Sequence, residues 1–213
     1  MQAKVYVFDL DGTIVDSVSS VKELTYGFHA AWGVPVPDDI MAKILPLGYP
    51  KTAEYYVREY HLKETPQEIE KYLIDRMTEN YERHIPAKGS ADEVLRVLKE
   101  RGATIAVLTA SPHIFLDPCI KRLGWDALFD YAWSVDEFNK TKGEPALFAA
   151  VAEKLGVKAE DCCMIDDSAH SLRSAKQAGW KTVGIYDEVS NSDRVDEMRS
   201  VSDVFVYELK EIL

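Results

Sequence analysis

The most constraining feature of the chain is the run Val5-Tyr6-Val7-Phe8-Asp9-Leu10-Asp11-Gly12-Thr13. A largely apolar stretch leads directly into two aspartates, a glycine and a threonine, which is typical of a buried strand that ends in a polar turn. Ligands of open α/β sheets bind just beyond the carboxyl ends of the strands. An Asp-Gly turn after a strand is also a common structural feature. The whole D-x-D-G-T pattern nevertheless favours a functional site, in which one carboxylate attacks or binds metal and the other exchanges a proton.

Three polar groups follow further along the chain, two of them at the ends of predicted strands. A second apolar run, 103–108, ends in Thr109-Ala110-Ser111. A lysine stands in Lys142-Gly143-Glu144-Pro145, just before a helical pattern. The run 162–165 ends in Asp166-Asp167-Ser168. The chain therefore presents strand-end acids, a strand-end hydroxyl, a lysine and a strand-end acid pair in that order.

This set resembles the haloacid dehalogenase (HAD)-like hydrolase superfamily, in subfamily I with a helical type 1 cap. The branch it resembles holds phosphoglycolate phosphatases and beta-phosphoglucomutases, and the resemblance covers almost the whole chain. It implies an α/β fold with a Rossmann-like parallel sheet core, helices on both faces and an inserted all-helical cap. We therefore expect a core domain over residues 1–17 and 86–213, and a cap domain over 18–85.

The periodicity of the apolar residues agrees with this organisation. Helix patterns and strand candidates alternate after about residue 88, which predicts a parallel sheet covered by helices on both faces. Ser90 and Glu93 predict a capping box at the first of these helices. The predicted helices are 91–101, 145–155 and 169–178, and the further strand candidates are 129–135, 162–166, 181–186 and 203–207.

Residues 18 to about 85 show helical stretches and no convincing strand. Thr65-Pro66-Gln67-Glu68 predicts a helix start, with threonine as the cap and proline in the first turn. The frequent aromatic residues of this region are expected to pack a small helical bundle. As the cap that the resemblance implies, this bundle would close over the strand-end site and exclude water.

The resemblance assigns chemical roles to the strand-end residues. Asp9 matches the nucleophile, which forms an aspartyl-phosphate and splits hydrolysis into two easier steps. Asp11 matches the general acid and base that protonates the leaving oxygen and later activates water. The Thr109 hydroxyl, with the backbone N–H groups of Ala110 and Ser111, is expected to bind a phosphoryl oxygen.

Two lysines are candidates for phosphate or substrate contacts. Lys142 is expected to give positive charge to the phosphoryl oxygens and to the Asp9 carboxylate. Its assignment rests on the Lys-x-x-Pro pattern, because the family more often has proline where Gly143 stands. Lys51, in Gly48-Tyr49-Pro50-Lys51, resembles the basic residue that the family often presents to substrate from a cap loop. For both, a solvated surface lysine is the structural alternative.

The clustered carboxylates predict a divalent cation. Asp9, Asp166 and Asp167 are expected at neighbouring strand ends, where they would raise each other's pKa values unless a cation neutralises them. Mg²⁺ prefers oxygen ligands and commonly bridges a carboxylate and a substrate phosphate. The resemblance adds the backbone carbonyl of Asp11 and makes Asp167 a direct ligand, while Asp166 binds directly or through water. A helix cap explains Asp166-Asp167-Ser168 equally well, and both roles can hold together.

Composition limits the partners. A formal charge of −11 and a pI near 4.9 argue against a nucleic acid or an anionic membrane as partner. The 3 cysteines show no metal-ligand spacing, and adjacent Cys162 and Cys163 are expected to point to opposite faces of a strand as core residues. Reduced thiols and an early first strand lead us to expect a cytoplasmic protein. The oligomeric state is not readable from the sequence.

The sequence thus predicts a Mg²⁺-dependent phosphatase that hydrolyses a small soluble phosphate monoester. Dehalogenases of the superfamily lack the second aspartate, so Asp11 favours phosphoryl transfer. The related sugar phosphomutases carry a histidine on the first cap helix, where Val21 stands here. A sugar phosphomutase of the same fold, or a non-enzymatic regulatory protein that binds metal, are the alternatives. The fold alone does not determine which phosphate ester is the substrate.

Overall fold

A computed structural model of the chain describes residues 3–45 and 47–213. These residues divide into two compact units. The first unit holds the residues up to Val18 together with Ile85–Leu213, and the second holds Ser19–His84. Each unit has a core of its own, as described below.

A parallel sheet forms the centre of the first unit. Within the described residues it has six strands in the order β3-β2-β1-β4-β5-β6, and every neighbouring pair is parallel. The central strands β1 and β4 are buried along their whole length, as expected when both faces of a parallel sheet are covered. The predicted α/β class is confirmed. The strands are β1 Val5–Phe8, β2 Thr104–Thr109, β3 Tyr131–Ser134, β4 Cys162–Asp166, β5 Lys181–Ile185 and β6 Val204–Val206.

Helices precede or follow the strands along the chain. Among the described residues, no helix has the length and apolar character needed to cross a membrane. The helices are α1 Ser17–Trp32, α2 Ile40–Ile44, α3 Gly48–Tyr60, α4 Pro66–Arg83, α5 Ala91–Glu100, α6 His113–Arg122, α7 Pro145–Leu155, α8 Ala169–Gln177 and α9 Val195–Val201.

The core of the first unit follows the alternation of side chains along the strands. Val7 and Met164 project to one face of the sheet, where they belong to one buried cluster with Phe148 of α7 and Leu172 of α8. Cys162 belongs to the same cluster. Cys163, the next residue of β4, is also buried and free but lies outside that cluster, as expected for the opposite face.

The second unit is a helical bundle with an aromatic core. Phe28 stacks on Trp32 and on Tyr56, with ring centroids 4.4 and 4.2 Å apart. Helix α4 begins as the sequence predicts: the Glu68 N–H donates to the Thr65 hydroxyl, and the Thr65 N–H donates to the Glu68 carboxylate. The predicted packing role of the aromatic residues is therefore confirmed for these three rings.

Two local predictions are wrong. The Ser90 side chain makes no capping bond at α5; its hydroxyl instead accepts from the backbone N–H of Lys210, so a contact distant in sequence replaces the local one. The segment Gly48-Tyr49-Pro50-Lys51 is not a loop, because α3 begins at Gly48 and holds Lys51 in its first turns.

Strand β3 ends one residue earlier than predicted, because the Ser134 hydroxyl caps a short 3₁₀ helix that begins at Val135. The capping bond is donated by the backbone N–H of Asp136. A cap of this kind favours a turn over a further strand residue. Strand β4 and helix α7 have the predicted bounds.

Candidate active site

The polar strand ends meet where the order of the strands reverses. From β1, the chain moves outward to β2 and β3, and then returns to β4 on the other side of β1. Asp9 follows β1, Thr109 ends β2 and Asp166 ends β4. Because parallel strands present their carboxyl ends at one edge, this switch point brings the three side chains to one place.

A tight loop over residues 10–15 follows Asp9 and carries Asp11. The Leu10 carbonyl accepts from the backbone N–H groups of both Ile14 and Val15, and the Gly12 N–H donates to the Val15 carbonyl. Gly12 has a φ of +76°, in the left-handed region that favours glycine. A Cβ atom at Gly12 would overlap the carboxylate of Asp167, so only glycine lets the two chain segments approach this closely.

An ammonium group lies between two buried carboxylates at the centre of the site. The Lys142 ammonium donates to Asp9 Oδ1 and, at 2.9 Å, to Asp166 Oδ2. The side chain of Lys142 is 13% exposed, that of Asp9 8% and that of Asp166 2%. Burial raises the pKa of Asp9 well above its usual value, against the effect of Lys142, and the neighbouring Asp166 and Asp167 add to the rise. Because both carboxylates raise its pKa despite burial, Lys142 stays cationic.

Three hydroxyl groups surround the carboxylate of Asp11. Ser17 donates to Oδ1 at 2.7 Å, and Ser111 and Thr109 donate to Oδ2 at 2.6 and 3.3 Å. The Ser111 N–H, predicted to face a phosphoryl oxygen, donates to the Thr109 hydroxyl at 3.0 Å. The sequence reasoning missed Ser17, because a serine at the start of a helix is an ordinary cap residue. Ala110 follows Thr109 directly and lies at the same strand end.

Asp167 is buried and makes polar contacts through its backbone and its side chain. Its backbone N–H donates to the Thr13 hydroxyl at 3.2 Å, and its carbonyl accepts from the Asn191 amide at 2.8 Å. The Ser190 hydroxyl hydrogen-bonds its carboxylate. Burial and the neighbouring Asp166 raise the pKa of Asp167 to about 7. No sequence pattern indicates a role for Asn191 or Ser190, which lie in a loop between β5 and α9.

The carboxylates fit a hard divalent cation. Asp9, Asp166 and Asp167 each offer an oxygen, and these oxygens lie within 4.8 Å of one another. Their burial and the raised pKa values of Asp9 and Asp167 indicate negative charge that a cation would neutralise. Both oxygens of Asp166 already have hydrogen-bond donors, namely Lys142 and the backbone N–H of Ser168. Asp9 and Asp167 are therefore better placed than Asp166 for direct ligation.

Two histidines lie next to residues of the site, and Lys51 lies in the other unit. His170, near the start of α8, packs against Gly143, where a Cβ atom would overlap its ring. His113 begins α6, two residues after Ser111. Lys51 lines an open cleft of α2 and α3 in the unit Ser19–His84, together with the cations Lys43 and Arg58.

His113 provides a prediction for the pH dependence of stability. Hydrogen bonds with Asp117 and Glu137 raise the pKa of His113. Glu137 also pairs with Lys154. A raised histidine pKa stabilises the fold below the ordinary value near 6.5, and this stabilisation is lost as pH rises through the raised value. His113 is partly exposed, so we expect a loss below about 1 kcal/mol in His113→Gln. Melting temperatures should differ at about pH 6 and converge by about pH 9; equal differences at both would contradict the pairing.

Comparison with known proteins agrees with this geometry. A family model described as haloacid dehalogenase-like hydrolase matches residues 3–179. A phosphoglycolate phosphatase of Psychrobacter arcticus is 26% identical over 193 residues, which cover 87% of this chain and 84% of that protein. An N-acetylmuramic acid 6-phosphate phosphatase of Pseudomonas aeruginosa is 24% identical over 190 residues, covering 87% and 82%.

A solved structure shows the same fold. The crystal structure of a predicted phosphoglycolate phosphatase from Haemophilus somnus superimposes with a TM-score of 0.84 at 20% sequence identity, covering 100% of this chain and 97% of that one. The family match spans the strand-end aspartates, the Thr109 segment and Lys142, all of which the fold places at one edge of the sheet. The chain therefore belongs to the haloacid dehalogenase-like hydrolases.

Proposed function

We propose that the protein is a Mg²⁺-dependent phosphatase that hydrolyses a small phosphate monoester through an aspartyl-phosphate. The observation that carries this proposal is the buried arrangement of Lys142 between Asp9 and Asp166, with a third carboxylate, that of Asp11, close to Asp9. A site that only binds an anion does not need two carboxylates in different surroundings. A site that needs one carboxylate as nucleophile and another as proton donor does.

In the first step, an oxygen of Asp9 attacks phosphorus as the bond from phosphorus to the ester oxygen breaks. Asp11 gives a proton to the departing oxygen, so that an alcohol leaves rather than an alkoxide. In the second step, Asp11 takes a proton from water, and the water oxygen attacks phosphorus. Inorganic phosphate leaves and the Asp9 carboxylate is regenerated.

The donors around Asp11 give its carboxylate a fixed orientation. Ser17 and Ser111 are within 2.7 Å of different oxygens of the carboxylate. A proton donor acts efficiently only when it is within hydrogen-bond reach of the leaving group. We assign Ser17 and Ser111 to this orienting role.

The phosphoryl oxygens require positive and hydrogen-bonding groups. We assign this binding to the Lys142 ammonium, the Thr109 hydroxyl and the backbone N–H groups of Ala110 and Ser111. Such groups act most strongly at a buried site, because the local dielectric is low. The Ser111 N–H would exchange its bond with Thr109 for one to the phosphoryl group.

Asp9 and Asp167, with the backbone carbonyl of Asp11, would hold Mg²⁺, and Asp166 would orient Lys142 or bind the ion through water. The bound ion would neutralise charge on the phosphoryl oxygens. We assign the helical unit Ser19–His84 as the cap of this hydrolase. The two relatives named above act on phosphoglycolate and on N-acetylmuramic acid 6-phosphate, which are both phosphate monoesters that also carry a carboxylate.

A substrate panel tests the proposal. Purified protein with Mg²⁺ should release inorganic phosphate from at least one small monoester of a panel of phosphorylated carboxylic acids, sugars and nucleotides. Movement of phosphate within a sugar, with none released, would identify a phosphomutase instead. No turnover of either kind, together with tight metal binding, would favour the regulatory alternative.

Removal of the metal gives a separate prediction. Chelation with EDTA should stop phosphate release, and added Mg²⁺ should restore it. Mg²⁺ at about 100 times its dissociation constant should also stabilise the fold by about 2.7 kcal/mol, because it neutralises the buried carboxylates. Calorimetry with and without Mg²⁺ measures this shift. Full activity in EDTA would contradict the metal assignment.

Lys51 is proposed as a substrate contact from the second unit. If Lys51 binds a second anionic group of the substrate, Lys51→Ala should raise KM about tenfold with little change in kcat, as expected when uniform binding is lost. Lys63→Ala, in the same unit, is the matched control. Unchanged kinetics in Lys51→Ala would contradict the contact.

A further inference from the structure

Lys88 has a partly buried side chain that reaches three acceptors in two chain segments. Its ammonium donates to the carbonyl of Gly12, to the carbonyl of Tyr186 at 3.1 Å and to Asp187 Oδ2 at 2.7 Å. The side chains of Lys88 and Asp187 are 22 and 7% exposed. A lysine ammonium has three donors and no acceptor, so these three contacts use its full hydrogen-bonding capacity.

The backbone around Lys88 is itself attached to the loop after β1. The Lys88 N–H donates to the Ile14 carbonyl at 2.8 Å, and Val15 and Ala87 form an antiparallel bridge. The side chain then extends to Gly12, which lies against the carboxylate of Asp167. Lys88 thus holds the loop after Asp11 at two points, through its backbone at Ile14 and through its side chain at Gly12.

Asp187 connects the Lys88 ammonium to Ser190 and Asn191, which both contact Asp167. Its Oδ1 accepts from the backbone N–H groups of Val189 and Ser190 at 3.0 and 2.8 Å. The Ser190 hydroxyl in turn hydrogen-bonds Asp167. The Asn191 amide completes the link, because its oxygen accepts from the Asp187 N–H and its nitrogen donates to the Asp167 carbonyl.

We propose that Lys88, through Asp187 and Ser190, is a positioning residue that sets the spacing between the Asp9–Gly12 turn and Asp167, and thereby the affinity of the site for a divalent cation. The inference rests on the proposed function, which places the metal between these two segments. An apolar pair would cost less desolvation than a buried ion pair. The pair therefore serves to fix the geometry of the loops rather than to increase stability.

The test measures metal binding without substrate. Mn²⁺ binding to the whole protein, followed by electron paramagnetic resonance, should be about 10 to 100 times weaker in Lys88→Met, because groups that orient metal ligands contribute on that scale. Lys99→Met is the matched control: Lys99 pairs with Asp130 at 2.6 Å in the same unit. Its removal should leave Mn²⁺ affinity unchanged.

Two further variants keep the inference testable if Lys88→Met does not fold. Ser190→Ala removes only a hydroxyl, and it should also weaken Mn²⁺ binding severalfold. In Lys88→Ala, added propylammonium should restore part of the lost Mn²⁺ affinity, since it replaces the missing cation.

The outcomes separate this inference from the proposed function. Wild-type Mn²⁺ affinity in a folded Lys88→Met variant, or in Ser190→Ala, would overturn the positioning role while leaving the phosphatase proposal intact. Absence of Mn²⁺ binding to the wild-type protein would instead contradict the metal site itself, and with it the proposed function.

Discussion

Replacing Asp9 with asparagine should abolish phosphate release. The amide is nearly the same shape as the carboxylate but cannot form a phosphoryl bond that water then hydrolyses. Loss of a nucleophile from a catalytic unit costs on the order of 10⁴-fold or more in kcat. The fold should remain, because Lys142 keeps its partner Asp166. Burial also raises the pKa of Asp9, so a neutral side chain at this position removes an electrostatic cost.

The measurement is phosphate release from the best monoester of the panel, with circular dichroism and melting temperature to confirm the fold. Asp161→Asn is the matched control, since Asp161 precedes β4 at the other end of the strand and pairs with the exposed Lys4. Its activity should equal that of the wild type. Near-normal turnover in a folded Asp9→Asn protein would exclude Asp9 as the nucleophile.

Replacing Lys142 with methionine should destabilise the metal-free protein strongly. Removal of one partner from a buried ion pair leaves uncompensated charge, which costs about 3–5 kcal/mol. Here two buried carboxylates, those of Asp9 and Asp166, lose the same cation. In EDTA at neutral pH, we expect a melting temperature roughly 10 °C lower, because each kcal/mol shifts a chain of this size by about 2–4 °C.

The pH dependence of this loss has a defined sign. Burial raises the pKa of Asp9, so as pH falls Asp9 takes up a proton and one of the two uncompensated charges disappears. The stability difference between wild type and Lys142→Met should therefore shrink toward acidic pH. Denaturant unfolding at several pH values measures it, with Lys140→Met as the control, because the Lys140 ammonium contacts only the Phe138 carbonyl among the bonds described. A constant difference across pH would contradict the charge argument.

The sequence predicts best where a pattern and the chemistry coincide. Strand β4 has the predicted bounds, and the acids at its end lie beside Asp9, because β1 and β4 are neighbours in the sheet. The order of the polar strand ends, with Lys142, indicates which side chains meet. The catalytic and metal roles of these residues stay predictions until the variants are measured.

Contacts between distant single residues could not be predicted. Lys88 and Gly12 are 76 positions apart, and Lys88 and Asp187 are 99 apart, and nothing in the local sequence distinguishes this lysine from a solvated one. Ser90 is the opposite case, because a local capping pattern is present but the capping bond does not form. Its hydroxyl instead accepts a hydrogen bond from the backbone N–H of Lys210. Local patterns are reliable only where no tertiary contact competes for the same group.

The most direct test of the central claim is to trap the covalent intermediate. Protein turning over its best monoester is quenched in acid and reduced with borohydride, which converts an aspartyl-phosphate into homoserine, and peptides are then mapped by mass spectrometry. The account predicts homoserine at position 9, only when substrate is present. Continued phosphate release with Asp9 unmodified, under conditions that trap an aspartyl-phosphate in a known phosphatase, would contradict it.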